Sequence, residues 1–241
     1  MSSGKRHIPV IVFEVTDACN QRCLFCYNHW KRPGCTVAPP APDFRLARRT
    51  LRRLLRQCSV GSISLSGGEP TLMPGIHDLA LKARFCGANV NLLTNGTLLG
   101  EDDVEIMNHI GITAVQIPIM ATDPGVHDHI TGLPGSWAKA VRSAKMVSSA
   151  RPGWLVPVLI VSRLNVHSAE DTLRFYASEF GAGTAMVNRF NIGGLGLQHA
   201  SELCLSIEDL KDVFKRIDKV AGELGMTLEE LREQEVDAGL G

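Results

Sequence analysis

Apolar runs of strand length alternate along this chain with amphipathic stretches of helix length. VIVFEV (10–15) predicts a strand, and residues 44–58 a helix with Ala47, Leu51, Leu54 and Leu55 on one face. SISL (62–65) is a second strand, followed by a helix over about 75–86. NVNLLT (89–94) precedes a helix at about 101–110, AVQIPI (114–119) one at about 136–149, and WLVPVLIV (154–161) one at about 169–180. TAMVNRF (184–190) is the sixth strand, and Ser206 opens the sixth helix (206–224) as N-cap with Asp209 three residues on.

Six βα units in succession imply parallel strands joined by right-handed crossovers. The pattern suits a doubly wound sheet and an open (β/α)6 barrel equally well. In both, chemistry collects in the loops at the carboxyl ends of the strands. No repeat, linker or boundary precedes about residue 225, so residues 1–225 are expected to form one domain. The segment 226–241 is acidic and reads as helical at first before losing its pattern, as a tail or the start of an extension would.

At 241 residues and 44% hydrophobic, the chain can bury a sizeable core. Its formal net charge of zero gives no global attraction to nucleic acid or an anionic membrane. The apolar start soon meets Glu14 and Asp17, lacks the layout of a signal peptide, and no later run is long enough to span a bilayer. A soluble cytoplasmic protein is the expectation. Seven cysteines are an odd number for a disulfide scaffold, and four of them lie between positions 19 and 35. Cys58, Cys86 and Cys204 are scattered and read as small core residues.

The loop after the first strand, TDACNQRCLFCYNHW, places Cys19, Cys23 and Cys26 in a C-x3-C-x2-C array. Three thiolates can clasp three irons of a cubane, since cysteine sulfur is the usual iron–sulfur ligand. A fourth iron is then left open for a cofactor or substrate, by the logic that separates catalytic from structural zinc sites. Zinc is the competing reading, but it favours paired C-x2-C knuckles, and His29 is the only nearby fourth ligand. The second strand ends in Ser66-Gly67-Gly68-Glu69-Pro70, where two glycines allow close backbone approach and a carboxylate can pair with an ammonium group. The third ends in Leu93-Thr94-Asn95-Gly96, which by itself reads as a turn.

Together these residues resemble the radical S-adenosylmethionine (SAM) superfamily: a C-x3-C-x-aromatic-C loop with Phe25 as the aromatic residue, then GGE (67–69) and TNG (94–96). The resemblance covers about residues 8–224 and implies a partial (β/α)6 TIM-like barrel. It implies a [4Fe–4S] cluster on Cys19, Cys23 and Cys26, with SAM chelating the open iron. One-electron reduction, from a donor such as flavodoxin or ferredoxin, then gives methionine and a 5′-deoxyadenosyl radical that abstracts a substrate hydrogen. Gly67, Gly68 and Glu69 would hold the SAM amino group, and Thr94 and Asn95 would face its ribose or carboxylate region. Arg189 on the sixth strand would reach the carboxylate, an outward-facing arginine being the alternative, and Asn191 opens a loop similar to the family's adenine-side loop.

The fourth strand departs from the pattern. Relatives read serine-leucine-aspartate-glycine at its end, whereas this chain has Pro118-Ile119-Met120-Ala121 before a matching HDHITGLPGSW (127–137). Within the superfamily the chain resembles the core of SPASM-type peptide-maturing enzymes, without the cysteine-rich extension, because only Cys204 lies beyond residue 86. A peptide or peptide-derived substrate is the leading expectation. A small molecule (sugar, nucleoside or cofactor precursor) and a non-catalytic Fe–S sensor or scaffold are the alternatives. Cys35, in a Pro/Gly-rich stretch near the site, is a candidate hydrogen donor or an idle loop thiol. Arg45, Arg48, Arg49, Arg52, Arg53 and Arg56 share one face of the first helix, where a solvated surface is a simpler expectation than a docking site.

Overall fold

The computed structural model describes residues 5–28 and 40–229. Its strands are β1 (Arg6–Thr16), β2 (Cys58–Gly67), β3 (Asn89–Leu93), β4 (Ala114–Pro118), β5 (Leu155–Val161), β6 (Thr184–Arg189) and β7 (Thr227–Glu229). Its helices are α1 (Phe44–Gln57), α2 (Ile76–Phe85), α3 (Glu101–Ile110), α4 (Pro124–Thr131), α5 (Ser136–Ala150), α6 (Ala169–Phe180), α7 (Ala200–Leu203) and α8 (Ile207–Leu224). The strands form one sheet in the order β1 to β7 with every pair parallel, and β1 and β7 are its open edges. This is the order of a TIM-like barrel left unclosed.

The two faces of the sheet differ in chemistry. Ile63, Leu65, Val90, Leu92, Val115, Ile117, Leu159, Val161, Ala185 and Val187 occupy alternate positions and belong to the buried core shared with the helices. The intervening positions form a second face. Their register pairs Val12 with Ser64, Ser64 with Asn91, Leu93 with Gln116, Gln116 with Val156, and Ile160 with Asn188. This inner wall is polar from β2 to β4, with Ser62, Ser64, Ser66, Asn91 and Gln116, and largely apolar across β5. A strand with one polar face in a parallel sheet signals a solvated interior, since such strands are otherwise apolar on both sides.

Several boundaries differ from expectation. Residue 58 was expected to be helical, but Cys58 is already extended and begins β2, and Gly61 lies where a Cβ would meet the Pro9 carbonyl oxygen at 2.7 Å. Close approach to β1, and not a turn, explains that glycine. A seventh strand, β7, stands where a helix was expected: Gly225 ends α8 in the left-handed conformation, and Thr227 N then bonds Gly183 O. Three residues are too few to show a period. Helix α4 was missed too, although Asp123 caps it through Val126 N and Pro124 follows at its first position.

The departure on the fourth strand becomes a buried corner. Pro118 lacks an N–H, and the ladder resumes with Ile119 N on Val158 O. Ile119, Met120 and Ala121 are fully buried. Tyr176 Oη donates to Ile119 O, Asn165 Nδ2 to Met120 O (2.9 Å) and Trp137 Nε1 to Ala121 O (3.0 Å). Met120 N donates to Nδ1 of His127, itself 1% exposed. Asp128 accepts from Trp137 N and Ser136 Oγ, so the HDHITGLPGSW motif builds the α4–α5 corner that carries this clamp.

Burial pushes the His127 imidazole down to about 4, so Nδ1 stays an acceptor at neutral pH. The unfolded chain takes up that proton near 6.5 and the native chain only near 4. This contribution to stability is therefore complete above pH 6.5 and falls as pH drops from 6.5 to about 4, by an amount on the order of 3 kcal/mol. Urea unfolding at a series of pH values measures it. The expected result is that His127→Gln flattens the slope in that window; an unchanged slope would show that His127 is not the group responsible.

Candidate active site

The cysteine loop leaves β1 at Thr16 and is held by its backbone from several directions. On the β2 side, Gly68 N donates to Thr16 O (2.6 Å) and Glu69 N to Ala18 O (2.8 Å). This pairing needs glycine, because a Cβ at Gly67 would run into Thr16 O, and one at Gly68 into Ala18 O. On the β3 side, Asn20 Nδ2 donates to Thr97 Oγ1 (2.7 Å) and Asn95 Nδ2 to Asn20 Oδ1 (2.8 Å). From the end of α4, Ile130 O and Thr131 O accept from Leu24 N and Arg22 N. After β6, Leu195 N and Gly196 N both donate to Cys26 O. Tyr27 Oη donates to Glu14 Oε1 (2.6 Å), tying the loop's exit back to β1.

Glu69 lies at the centre of this arrangement, 1% exposed. Its Oε1 accepts from Thr71 N (3.0 Å), Thr71 Oγ1 (2.6 Å) and Thr94 Oγ1 (2.6 Å), while among the described residues Oε2 accepts from Asn95 N alone (2.7 Å). Desolvation pushes its carboxyl up, against the pull of these hydrogen bonds towards the ionised form. Among the described residues no Lys, Arg or His pairs with it. A buried carboxylate without a cation is costly, and one lone pair of Oε2 remains for a donor.

The structure brings Cys19, Cys23, Cys26, Phe25, Gly67, Gly68, Glu69, Thr94 and Asn95 to one end of the sheet, at the carboxyl ends of β1 to β3. Thr94 and Asn95 spend their side chains on Glu69, Asn20 and Thr97, and so support the carboxylate and the cysteine loop. Arg189 is exposed at the end of β6, in register with Val161 and thus in the row of the helix-facing Val187; Asn191 beyond it is exposed. Cys35 and His29 lie outside the described residues. The sequence reading missed Asn20, Thr71 and Thr97. Thr71 had a signal: an acid followed by Pro-Thr is the pattern of a capped turn, here Pro70–Leu72 capped by Glu69.

The three cysteines are half-buried; Cys19 Sγ accepts from Gln21 N (3.4 Å), and Cys23 Sγ donates to Gln21 Oε1 (3.3 Å). No three His, Cys, Asp or Glu side chains among the described residues converge on a point that would hold a single ion. Each thiolate of a cubane meets a different iron, so a cluster asks for spread thiols on a fixed backbone. The backbone of this loop is fixed by its bonds to the exits of β2, α4 and β6. Burial pushes the Glu69 carboxyl up, and a positive group beside it, such as the SAM ammonium, would offset that push. The residues present fit both groups.

Comparison with known proteins agrees. A sporulation killing factor maturation protein, SkfB of Bacillus subtilis, is 28% identical over 168 residues, 68% of this chain and 38% of the relative. A PqqA peptide cyclase of Xanthomonas campestris is 27% identical over 217 residues, 89% of this chain and 56% of its own. The chain therefore spans about half the length or less of these curated relatives. Among solved structures, Streptococcus suis SuiB bound to S-adenosylmethionine superposes with a TM-score of 0.74 at 15% identity, covering 92% of this chain and 50% of that one. This shows the shared fold. Residues 13–176, which run from β1 through the cysteine loop, Glu69 and the α4 corner into α6, match the radical SAM superfamily model, and the chain belongs to that superfamily, whose cofactors are a [4Fe–4S] cluster and SAM.

Proposed function

We propose that this chain is the catalytic core of a radical SAM enzyme that abstracts a hydrogen atom from a peptide or peptide-derived substrate. The observation that carries the reading is the joined pair of sites: a fixed loop of three thiols whose backbone is hydrogen-bonded to the segment bearing a buried carboxylate that no cation pairs among the described residues. When bound and reduced by a one-electron donor such as ferredoxin or flavodoxin, the cluster and SAM supply a 5′-deoxyadenosyl radical. The chain's residues bind, orient and shield. Cys19, Cys23 and Cys26 would hold the cluster. Glu69 would take the SAM ammonium on Oε2, with Thr71, Thr94 and Asn95 opposing the upward push of burial on its carboxyl and aiming it. Arg189 starts in the helix-facing row of β6 and would take the SAM carboxylate only by reaching around the strand's carboxyl end, with Asn191 on the adenine side. The buried Ile119–Ala121 corner would exclude water without offering the polar side chains of relatives.

A peptide substrate is supported by the relatives: the PqqA peptide cyclase by its name, and a second SuiB structure by its bound precursor peptide SuiA. A small-molecule substrate has one observation in its favour, a 28% identity over 176 residues to an AdoMet-dependent heme synthase of Methanosarcina barkeri. Anaerobic reconstitution followed by assay for 5′-deoxyadenosine, with and without candidate peptides, tests the proposal. Reductant-dependent 5′-deoxyadenosine stimulated by a peptide supports it. Its absence from cluster-loaded protein would leave only a sensor or scaffold.

Replacing Cys19, Cys23 or Cys26 by Ala should each abolish cluster loading, because a cubane held by two thiolates is labile, while Cys58→Ala, Cys86→Ala and Cys204→Ala retain it. Iron and sulfide analysis decides. Glu69→Gln should weaken SAM binding about ten- to a hundredfold, from the roughly 1.5–3 kcal/mol of a charge-assisted contact, with iron content unchanged. Equilibrium dialysis of SAM measures it, and normal affinity would remove Glu69 from the SAM site. Gly68→Ala should lower both cluster loading and SAM binding by driving the loop off Ala18 O, whereas Gly222→Ala, with open space around it, should alter neither.

A further inference from the structure

Helix α1 carries Arg45, Arg48, Arg49, Arg52, Arg53 and Arg56, all exposed, and no acidic residue. The spacing i, i+3, i+4, i+7, i+8, i+11 lays them in one stripe about 16 Å long. None of the six makes an ion pair among the described residues. Like charges at these spacings repel, and α1 has no acid to relieve them. Of the other long helices, α5 also lacks acids, but its Lys145 pairs with Glu179 of α6 and its Arg142 donates to Leu99 O, while α8 mixes its signs: Glu208, Asp209, Lys211, Asp212, Lys215, Arg216, Asp218 and Lys219. A merely solvated face would be expected to look like α8.

The stripe is also shaped. Arg45, Arg48, Arg49, Arg52 and Arg56 border with Phe44 an open, solvent-facing cleft of about 330 Å³ along the surface of α1. Phe44 begins α1 and its ring lies against Gly75, just past the turn capped by Glu69, so the cleft starts at the end of the molecule that holds the cysteine loop. The opposite face of the helix, Ala47, Leu51 and Leu55, is locked in the core, which fixes the stripe relative to that loop.

We propose that the α1 cleft docks an acidic segment of the polypeptide substrate, while a neighbouring part of the same peptide reaches the cysteine loop. The assignment rests on the peptide-substrate reading above. Guanidinium forks bind carboxylates bidentately, a task for which lysine is a poor substitute. The stripe matches about five residues of extended chain. Nucleic acid fits less well, because the chain's net charge is zero and the first turn of α3 is acidic with Glu101, Asp102 and Asp103.

The test uses the reconstituted protein and a short fluorescein-labelled peptide of alternating Glu and Ser, read by anisotropy, with a Gln–Ser peptide and a labelled DNA duplex as comparison probes. The triple variant R48E/R49E/R52E should bind the acidic peptide roughly ten- to a hundredfold more weakly, since three surface pairs become three repulsions. The variant K211E/K215E/K219E changes net charge equally but on α8, and should bind as the native chain does. Circular dichroism and peptide-independent 5′-deoxyadenosine formation should be unchanged in both. Equal binding of the acidic and neutral peptides by the native chain, equal loss in the α8 variant, or tighter binding of the duplex would overturn the docking site. Specific acidic-peptide binding without turnover of any peptide would instead retain the docking site and remove the peptide-modification reading.

Discussion

The arrangement at the head of the sheet depends on one buried carboxylate. Glu69 gathers donors from its own turn and from the end of β3, and its backbone N–H bonds the cysteine loop. A carboxylate so buried is tolerable only while these donors hold it, and under the proposed function the group that would complete its neutralisation is the SAM ammonium. Three loops from three strands are thereby linked through one residue, and moving any of them would disturb the others.

The second constraint is backbone approach. Gly67 and Gly68 allow two chain segments to lie closer than a Cβ permits, and Gly194 and Gly196 do the same beside Tyr27 and Phe190 on the other flank of the loop. The thiols are therefore carried on a main chain clamped largely by main chain, with side-chain braces from Asn20, Asn95 and Thr97. Side-chain clamps would add rotamer freedom, and a cluster held at three corners tolerates little of it.

The fourth-strand change becomes intelligible in these terms. Where the family resemblance leads one to expect polar side chains, this chain buries Ile119, Met120 and Ala121 and satisfies their backbone with Tyr176, His127, Asn165 and Trp137. The corner has become part of the core. Binding polarity then falls to the β2 and β3 exits and to the loop after β6, and the inner wall keeps its polar half on the β2–β4 side.

Periodicity alone determined the alternating strands and helices, because burial against one layer of helices imposes a pattern on every long element. The spacing of Cys19, Cys23 and Cys26, with GGE and TNG one unit apart, identified the chemistry, because ligand sets carried on single loops are local in sequence. Helix α4, strand β7 and the early start of β2 were not legible: they are short, or are set by pairing with β1 and β6, which no local window contains. Only the tertiary structure showed that Thr94 and Asn95 support Glu69, that Asn20 and Thr97 brace the cysteine loop, and that His127 holds the amide of Met120. Such partners lie up to 77 residues apart along the chain, and hydrogen bonds between distant loops leave no period in the sequence.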